Sequence, residues 1–310
     1  MSILFTFPGQ GAQTPGMLHT LPSHPAVRAT LDEAGSVLGR DPLELDAADA
    51  LRSTVAVQLA LLIAGVAMAR VLSDEAGEPD AVAGLSIGAY PAAVIAGALD
   101  FADAVRLVAL RGKLMEEAYP SGFGMAAIVG LDARRLQALI DAVHDTDHPV
   151  YLANLNAETQ MVISGQLEAM REVMTRATAL GARKAARLAV SVPSHCALLE
   201  RPAQAMREAM AGVTLRRARL SYLSANLARA LYDPEKIAAD LAGNMACQVH
   251  WHDTARLAYE RGARLALEMP PGNVLSNLLR PVFCPAPAIA SAGTRLDTLT
   301  VLMRRERDAR

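Results

Sequence analysis

Asp80-Ala-Val-Ala-Gly84-Leu-Ser86-Ile-Gly88-Ala-Tyr90 is the stretch on which the fold turns. Val82 and Ala83 make a short apolar run ending in Gly84, and an alanine-rich, helix-forming segment follows from Ala92 to Ala98. In that setting Gly84-x-Ser86-x-Gly88 reads as a nucleophile elbow. The flanking glycines tolerate the strained backbone and close packing that lift a serine hydroxyl above the end of a sheet. An ordinary strand-to-helix turn is the alternative, and the rest of the chain separates the two.

Upstream, Ile3 to Phe7 is an apolar run without alternation, as in a parallel strand covered on both faces. It runs into Pro8-Gly9-Gln10-Gly11, a turn that leaves backbone N–H groups pointing outward. Helical patterns follow at Ala26 to Leu38 and Val55 to Leu72. Thr54 to Ala69 is apolar except for Gln58, and its alanines, Gly65 and the closing Arg70 read as a buried helix in preference to a membrane span. Downstream of the elbow, Asp100 reads as the N-cap of a helix reaching about Glu117. Its stripe of Ala104, Leu107, Val108 and Met115 contains Arg111. A guanidinium there either reaches water from the margin of the stripe or meets a buried carboxylate, of the protein or of a ligand.

From Gly122 the pattern changes. Strands at Met125 to Val129, Val150 to Asn154, Met161 to Ser164 and Lys184 to Val190, with helices at Ala133 to Val143 and Glu168 to Leu180, give the βαββαβ order of a ferredoxin-like unit. The expected organisation is an α/β domain of residues 1–121 and 191–310, with 122–190 inserted as a small domain that walls one side of a cleft. The chain returns through Ser191-Val-Pro-Ser-His195-Cys. Ser194 reads as a helix cap and His195 as a first-turn residue, where the helix N-terminus disfavours a positive charge and keeps the imidazole able to accept a proton. A capping or packing histidine is the alternative. Further strands are expected near Leu220 to Ala225, Arg264 to Glu268 and Ala286 to Ala290, before a charged terminal helix ending Arg304-Arg305-Glu306-Arg307. Alternating strands and helices predict a parallel sheet covered on both faces.

The bulk properties narrow the class. The chain has 310 residues, 52% hydrophobic and 20% charged, with 30 basic and 32 acidic side chains and a formal net charge of -2. That balance gives no general attraction to nucleic acid or to an anionic membrane. Cys196, Cys247 and Cys284 are too irregularly spaced for a disulfide framework or a thiolate zinc site, so no metal site and a reducing cytoplasm are expected. Met1-Ser-Ile-Leu-Phe-Thr-Phe7 reads as a first strand and not a signal peptide.

Six separated motifs occur in one order: Phe7-Pro-Gly-Gln-Gly11, Gly84-x-Ser86-x-Gly88, Arg111-Gly-Lys-Leu-Met115, Asn154-x-Asn156, Ser191-Val-Pro-Ser-His195-Cys and Glu268-Met-Pro-Pro-Gly272. Together they resemble the malonyl-CoA:acyl-carrier-protein transacylases over nearly the whole chain. The resemblance implies an α/β-hydrolase-like parallel-sheet domain with the ferredoxin-like insertion, and an acyltransferase that runs a ping-pong course through a serine acyl-enzyme. It implies Ser86 as nucleophile and His195 as its base, with a backbone or side-chain group at Asn244 orienting the imidazole. The oxyanion would be held by the backbone N–H groups of Gln10 and Ile87. Arg111 would hold the malonyl carboxylate, and Gln58, Leu85, Asn154 and Asn156 complete the implied substrate-binding set. No permanently bound cofactor is implied, with malonyl-CoA and CoA as substrate and product.

Two positions depart from the fatty-acid-synthesis pattern Gly-His-Ser-x-Gly-Glu: Leu85 precedes the serine and Ala89 follows the second glycine. Gly84-Leu-Ser-Ile-Gly-Ala-Tyr90 looks more like the transacylase (epsilon) subunit of malonate decarboxylase. The leading expectation is therefore transfer to that system's carrier-protein subunit, with the other decarboxylase subunits as further partners. The alternatives are the transacylase of fatty acid synthesis, a thioesterase or esterase, and a non-catalytic docking subunit. A basic face of Arg183, Lys184, Arg187 and Arg201 is a further expectation for meeting CoA phosphates and an acidic carrier, set against a merely solvated surface.

Overall fold

In a computed structural model of the chain, residues 2–190 and 192–309 are described. Met1, Ser191 and Arg310, which the N-terminal strand reading, the returning motif and the domain limits include, lie outside the described residues. The chain opens with β1 (Ile3–Phe7), α1 (Pro25–Leu38), α2 (Thr54–Ala76) and β2 (Ala81–Gly84), then α3 (Ala89–Ile95) and α4 (Phe101–Ala118). Next come β3 (Phe123–Val129), α5 (Ala133–Asp141), β4 (Val150–Ala157), β5 (Gln160–Gln166), α6 (Leu167–Ala179) and β6 (Lys184–Arg187). The return is built from α7 (Glu200–Met210), β7 (Ser221–Ser224), β8 (Arg229–Leu231), α8 (Pro234–Gly243) and α9 (Trp251–Glu260). It closes with β9 (Leu265–Glu268), α10 (Val274–Phe283), β10 (Ala288–Ala290) and α11 (Leu296–Asp308).

The large sheet runs β10-β9-β1-β2-β7-β8, parallel except for β8, which turns back antiparallel on β7. Alternation along each strand splits the core in two, because successive side chains point to opposite faces. Ile3, Phe5, Phe7 and Val82 join the cluster containing the α2, α3 and α4 side chains, whereas Leu4, Ala81 and Ala83 pack with Trp251, Leu275 and Phe283 of α9 and α10. Both faces are thus covered, which is why these strands carry no polar stripe. The apolar α2 is long enough to cross a membrane by composition, yet 89% of its apolar window is buried inside the fold, as the sequence reading expected.

Residues of β3 to β6 form a second, antiparallel sheet of order β4-β5-β3-β6, with α5 and α6 over its own core of Ile128, Leu136, Ile140, Ile163 and Val173. This is the expected ferredoxin-like order. Its β4 is stitched to the large lobe: Leu155 N–H donates to Val249 O at 2.8 Å, and Val249 N–H donates to Ala153 O at 2.9 Å. A cleft opens beside that seam.

Several local expectations are corrected. The last small-lobe strand ends at Arg187 and not Val190: Leu188 N–H still donates to Met125 O at 2.9 Å, the chain then departs from β3, and Leu188, Ala189 and Val190 line the cleft. The elbow helix stops at Ile95, two residues before Gly97 adopts the left-handed φ of 74°. Asp100 holds the N-cap position of α4 but makes no cap hydrogen bond; its carboxylate takes a two-pronged pair from Arg216 at 2.7 and 2.8 Å. A cation offers a charge-assisted bond where a backbone N–H offers a neutral donor. The short edge strand β8 carries no sequence signal beyond three residues and was not expected.

Candidate active site

The β1–β2 register pairs Phe7 with Gly84, so the Pro8–Gly11 turn and the serine turn leave the sheet side by side. Ser86 sits in a one-turn 3-10 segment, Ser86–Gly88, with φ at 58°, a backbone position disfavoured for a residue with a side chain. The glycines explain how the turn closes. A Cβ on Gly84 would lie 1.9 Å from the Gly88 carbonyl oxygen, and one on Gly88 would lie 2.1 Å from that of Phe7. Asn244 completes the clamp by donating Nδ2–H to the Ser86 carbonyl at 3.0 Å. The turn has the strained, Gly-packed geometry of an elbow.

Arg111 reaches the same turn from α4. Gly112, beside it, brings α4 against α2, where a Cβ would sit 2.7 Å from Val55 Cα. That approach sets Gln58 opposite the guanidinium. Arg111 is 0% exposed and donates to Gln58 Oε1 at 2.7 Å, to Asn244 Oδ1 at 3.0 Å and to Ser86 Oγ at 3.2 Å. Of the alternatives for this cation, a water-exposed margin and a buried protein carboxylate both fall away: among the described residues its partners are amides and a hydroxyl. Burial lowers its pKa to about 10, so the guanidinium stays charged at neutral pH and is held without a counter-charge.

His195 is 3% exposed and lies outside any helix, with φ at 63°. The first-turn expectation is corrected here. A 3-10 turn begins only at Ala197 and α7 only at Glu200, and Ser194 caps neither. Backbone hydrogen bonds place the imidazole instead: His195 N–H donates to Met245 O at 2.7 Å, while Nδ1 lies 2.9 Å from Asn244 O and 3.1 Å from Cys247 O. Both neighbours of Nδ1 are carbonyl acceptors, so Nδ1 carries the proton and Nε2 keeps its lone pair. The pKa falls to about 4, first through burial and then through Arg111, not through a helix dipole.

Ser86 and His195 line one cleft of about 260 Å³, together with Gln10, Leu85, Asn154 and Asn156. The side-chain oxygens of Asn154 and Asn156 are buried there with no hydrogen-bond partner among the described residues. A larger cavity, about 860 Å³, is lined by Tyr232, Asp240, Cys247 and His250 and includes neither Ser86 nor His195.

The acyl transferase domain family profile matches residues 4–300. The malonyl CoA-acyl carrier protein transacylase of Escherichia coli (strain K12) is 38% identical over 282 residues, covering 89% of this chain and 91% of that protein. The chain belongs to the malonyl-CoA:acyl-carrier-protein transacylase family. Solved transacylases agree. That of Coxiella burnetii superposes with a TM-score of 0.92 at 32% identity over 98% of both chains. A malonyl-transacylase in complex with its type II PKS acyl-carrier protein superposes at 0.91 with 35% identity, over 98% of this chain and 99% of that one.

Family membership bears on two expectations. These relatives are transacylases and not malonate decarboxylase subunits, so the decarboxylase affinity inferred from Leu85 and Ala89 gives way to the transacylase alternative. Within the transacylase site, Gln58 does not line the cleft. It is wholly buried behind Arg111, with its oxygen accepting from the guanidinium and its Nε2–H directed at Met115 Sδ, 3.3 Å away. The carbonyls of Met245 and Cys247 were missed, since a backbone acceptor leaves no mark on residue type. For Asn244, expected to orient the histidine by backbone or side chain, the backbone oxygen does so while the side chain serves Arg111 and Ser86.

Proposed function

We propose that this chain moves a malonyl group from malonyl-CoA to the thiol of an acyl carrier protein of fatty acid synthesis, through an ester on Ser86. The observation that carries this reading is the buried, counter-charge-free guanidinium of Arg111 at 3.2 Å from the Ser86 hydroxyl. A cation so placed recognises an acyl group that ends in a carboxylate, and penalises one that ends in a methyl.

Ser86 Oγ attacks the thioester carbonyl while His195 Nε2 takes its proton. The oxyanion forms against the N–H groups of Ile87 and Gln10, each worth about 3 kcal/mol of barrier. Collapse breaks the C–S bond, the imidazolium protonates the departing CoA sulfur, and the malonyl ester stays on Ser86. The carrier thiol then enters, gives its proton to His195 and takes the acyl group by the same steps reversed. Leu85, Asn154 and Asn156 wall the substrate, with the lobe of residues 122–190 closing over the lobe of 1–121 and 191–310. Arg183, Lys184, Arg187 and Arg201 are exposed and enter none of the ion pairs found among the described residues, which leaves them free for an acidic carrier.

Incubation with malonyl-CoA is expected to add one malonyl mass at Ser86, discharged by a fatty-acid carrier and slowly by water. Discharge only by a decarboxylase carrier would reverse the choice of acceptor. CoA release that continues without any carrier would make the protein a thioesterase.

A further inference from the structure

Asp240, in the last turn of α8, is 8% exposed and has no place in the steps above. A buried carboxyl needs hydrogen-bond partners, and here they are neutral. Tyr222 Oη donates to Oδ2 at 2.7 Å, Ser224 Oγ to Oδ1 at 2.6 Å, and Asn226 Nδ2 to Oδ1 at 3.2 Å. Ser224 Oγ also accepts from Leu227 N–H at 3.1 Å, which leaves its own proton for the carboxyl. Every donor lies on β7 or in the turn after it, so these bonds tie the end of α8 to the central sheet. Burial raises the Asp240 pKa while the three donors oppose the rise.

The segment that follows is the one that builds the site. Leu241 O accepts from Tyr90 Oη at 3.1 Å, which ties it to α3 just beyond the serine turn. Asn244, one helical turn after Asp240, bonds Ser86, Arg111 and the imidazole, and the Met245 and Cys247 carbonyls hold His195 by its N–H and by Nδ1. The contacts to His195 are backbone carbonyls. Their positions are set by whatever anchors the segment, since no side chain of their own adjusts them.

We propose that Asp240 is a positioning residue: by fastening α8 to β7 it sets the place of the Asn244, Met245 and Cys247 carbonyls, and through them the aim of His195 at Ser86. The inference rests on Ser86 as nucleophile and His195 as its base. A hydrophobic side chain at 240 would fill the space without this effect, because apolar contact is non-directional whereas three hydrogen bonds fix one arrangement.

The test is the rate at which a fluorophosphonate probe labels Ser86, with kcat and KM for malonyl transfer and a thermal melt, in wild type, Asp240→Ala and Asp240→Asn. The asparagine keeps the shape: its oxygen accepts from Ser224 and Asn226, and its NH₂ can donate to Tyr222 Oη. Asp240→Ala is expected to lower labelling and kcat by about 10- to 100-fold with KM for malonyl-CoA changed less than about threefold, since small misplacements of reacting groups are costly. Asp240→Asn is expected within about threefold of wild type, the scale of one altered hydrogen bond. If Asp240→Ala does not fold, Tyr222→Phe removes a single donor and is expected to slow labelling about threefold. Wild-type labelling in Asp240→Ala, or in Tyr222→Phe where that variant stands in, overturns the proposal whatever the melting temperature. So does an Asp240→Asn as slow as Asp240→Ala. The probe reads histidine alignment without malonyl-CoA, so wild-type protein that takes the probe but not malonyl overturns the substrate reading alone.

Discussion

The two walls of the cleft are built on opposite terms. On the large-lobe side, Ser86, Arg111, Asn244 and His195 are joined by hydrogen bonds to one another or to fixed backbone and Gln58 backs the guanidinium, while Arg111 Nε is buried without a partner among the described residues. On the small-lobe wall, the Asn154 and Asn156 side-chain oxygens are buried without partners among the described residues. The first wall is arranged before substrate arrives, which is what a group that must act on developing charge requires. The second holds acceptors whose desolvation disfavours the free protein by about 1–3 kcal/mol each, and that cost is recovered by a ligand with N–H groups to donate. On the proposed function, the reacting groups and the cation for the malonyl carboxylate both belong to the large lobe, and the small lobe adds acceptors for the rest of the substrate.

On that arrangement, damage to the large-lobe wall is expected to lower kcat/KM and damage to the small-lobe wall to lower affinity alone. The largest effect is expected for Ser86→Ala, with transfer reduced by about 10⁴-fold or more and no acyl-enzyme in the mass spectrum. Arg111→Ala is next. Its malonyl kcat/KM is expected to fall by about 10²- to 10³-fold, the range for losing one partner of a buried charge pair, with acetyl transfer retained or improved. Equal losses on both substrates would show that the arginine only holds Asn244 and Gln58 in place.

The imidazole gives a pH test of the same wall. His195 is held neutral, with its pKa lowered from 6.5 to about 4, so the acid limb of kcat/KM is expected near pH 4 and not near 6.5. The sign for stability follows. Below pH 6.5 the unfolded chain binds a proton that the folded one refuses, so folding weakens as pH falls from 6.5 to about 4, by at most about 3 kcal/mol from this group. An acid limb at 6.5 would mean that the histidine is hydrated in the working enzyme. The smallest effect belongs to the other wall: Asn154→Ala and Asn156→Ala are expected to raise KM for malonyl-CoA by about fivefold with kcat unchanged, and a kcat loss without a KM change would erase the contrast.

Much of this was legible in the residues because local rules governed it. Ile3–Phe7 and the serine turn were readable since a covered parallel strand and a Gly-flanked elbow each force residue type through sterics. The βαββαβ order of the small lobe showed in its periodicity, and its edges blurred where the chain after Leu188 departs from β3 beside the cleft. The decarboxylase affinity was read from two positions beside Ser86, too few to outweigh a likeness carried by nearly the whole chain.

By itself the sequence determined which groups are available: a serine on a strained turn, a cation on an apolar stripe and a histidine near the second crossing of the cleft. Only the tertiary structure decided what state those groups are in. The imidazole is neutral because it is buried beside Arg111 and not because a helix begins there, and the guanidinium is partnered by amides that lie 53 and 133 residues away in the chain. Desolvation and long-range hydrogen bonds depend on what surrounds a residue after folding, whereas turn geometry and strand burial are written into neighbouring residues, and only the latter can be read along the chain.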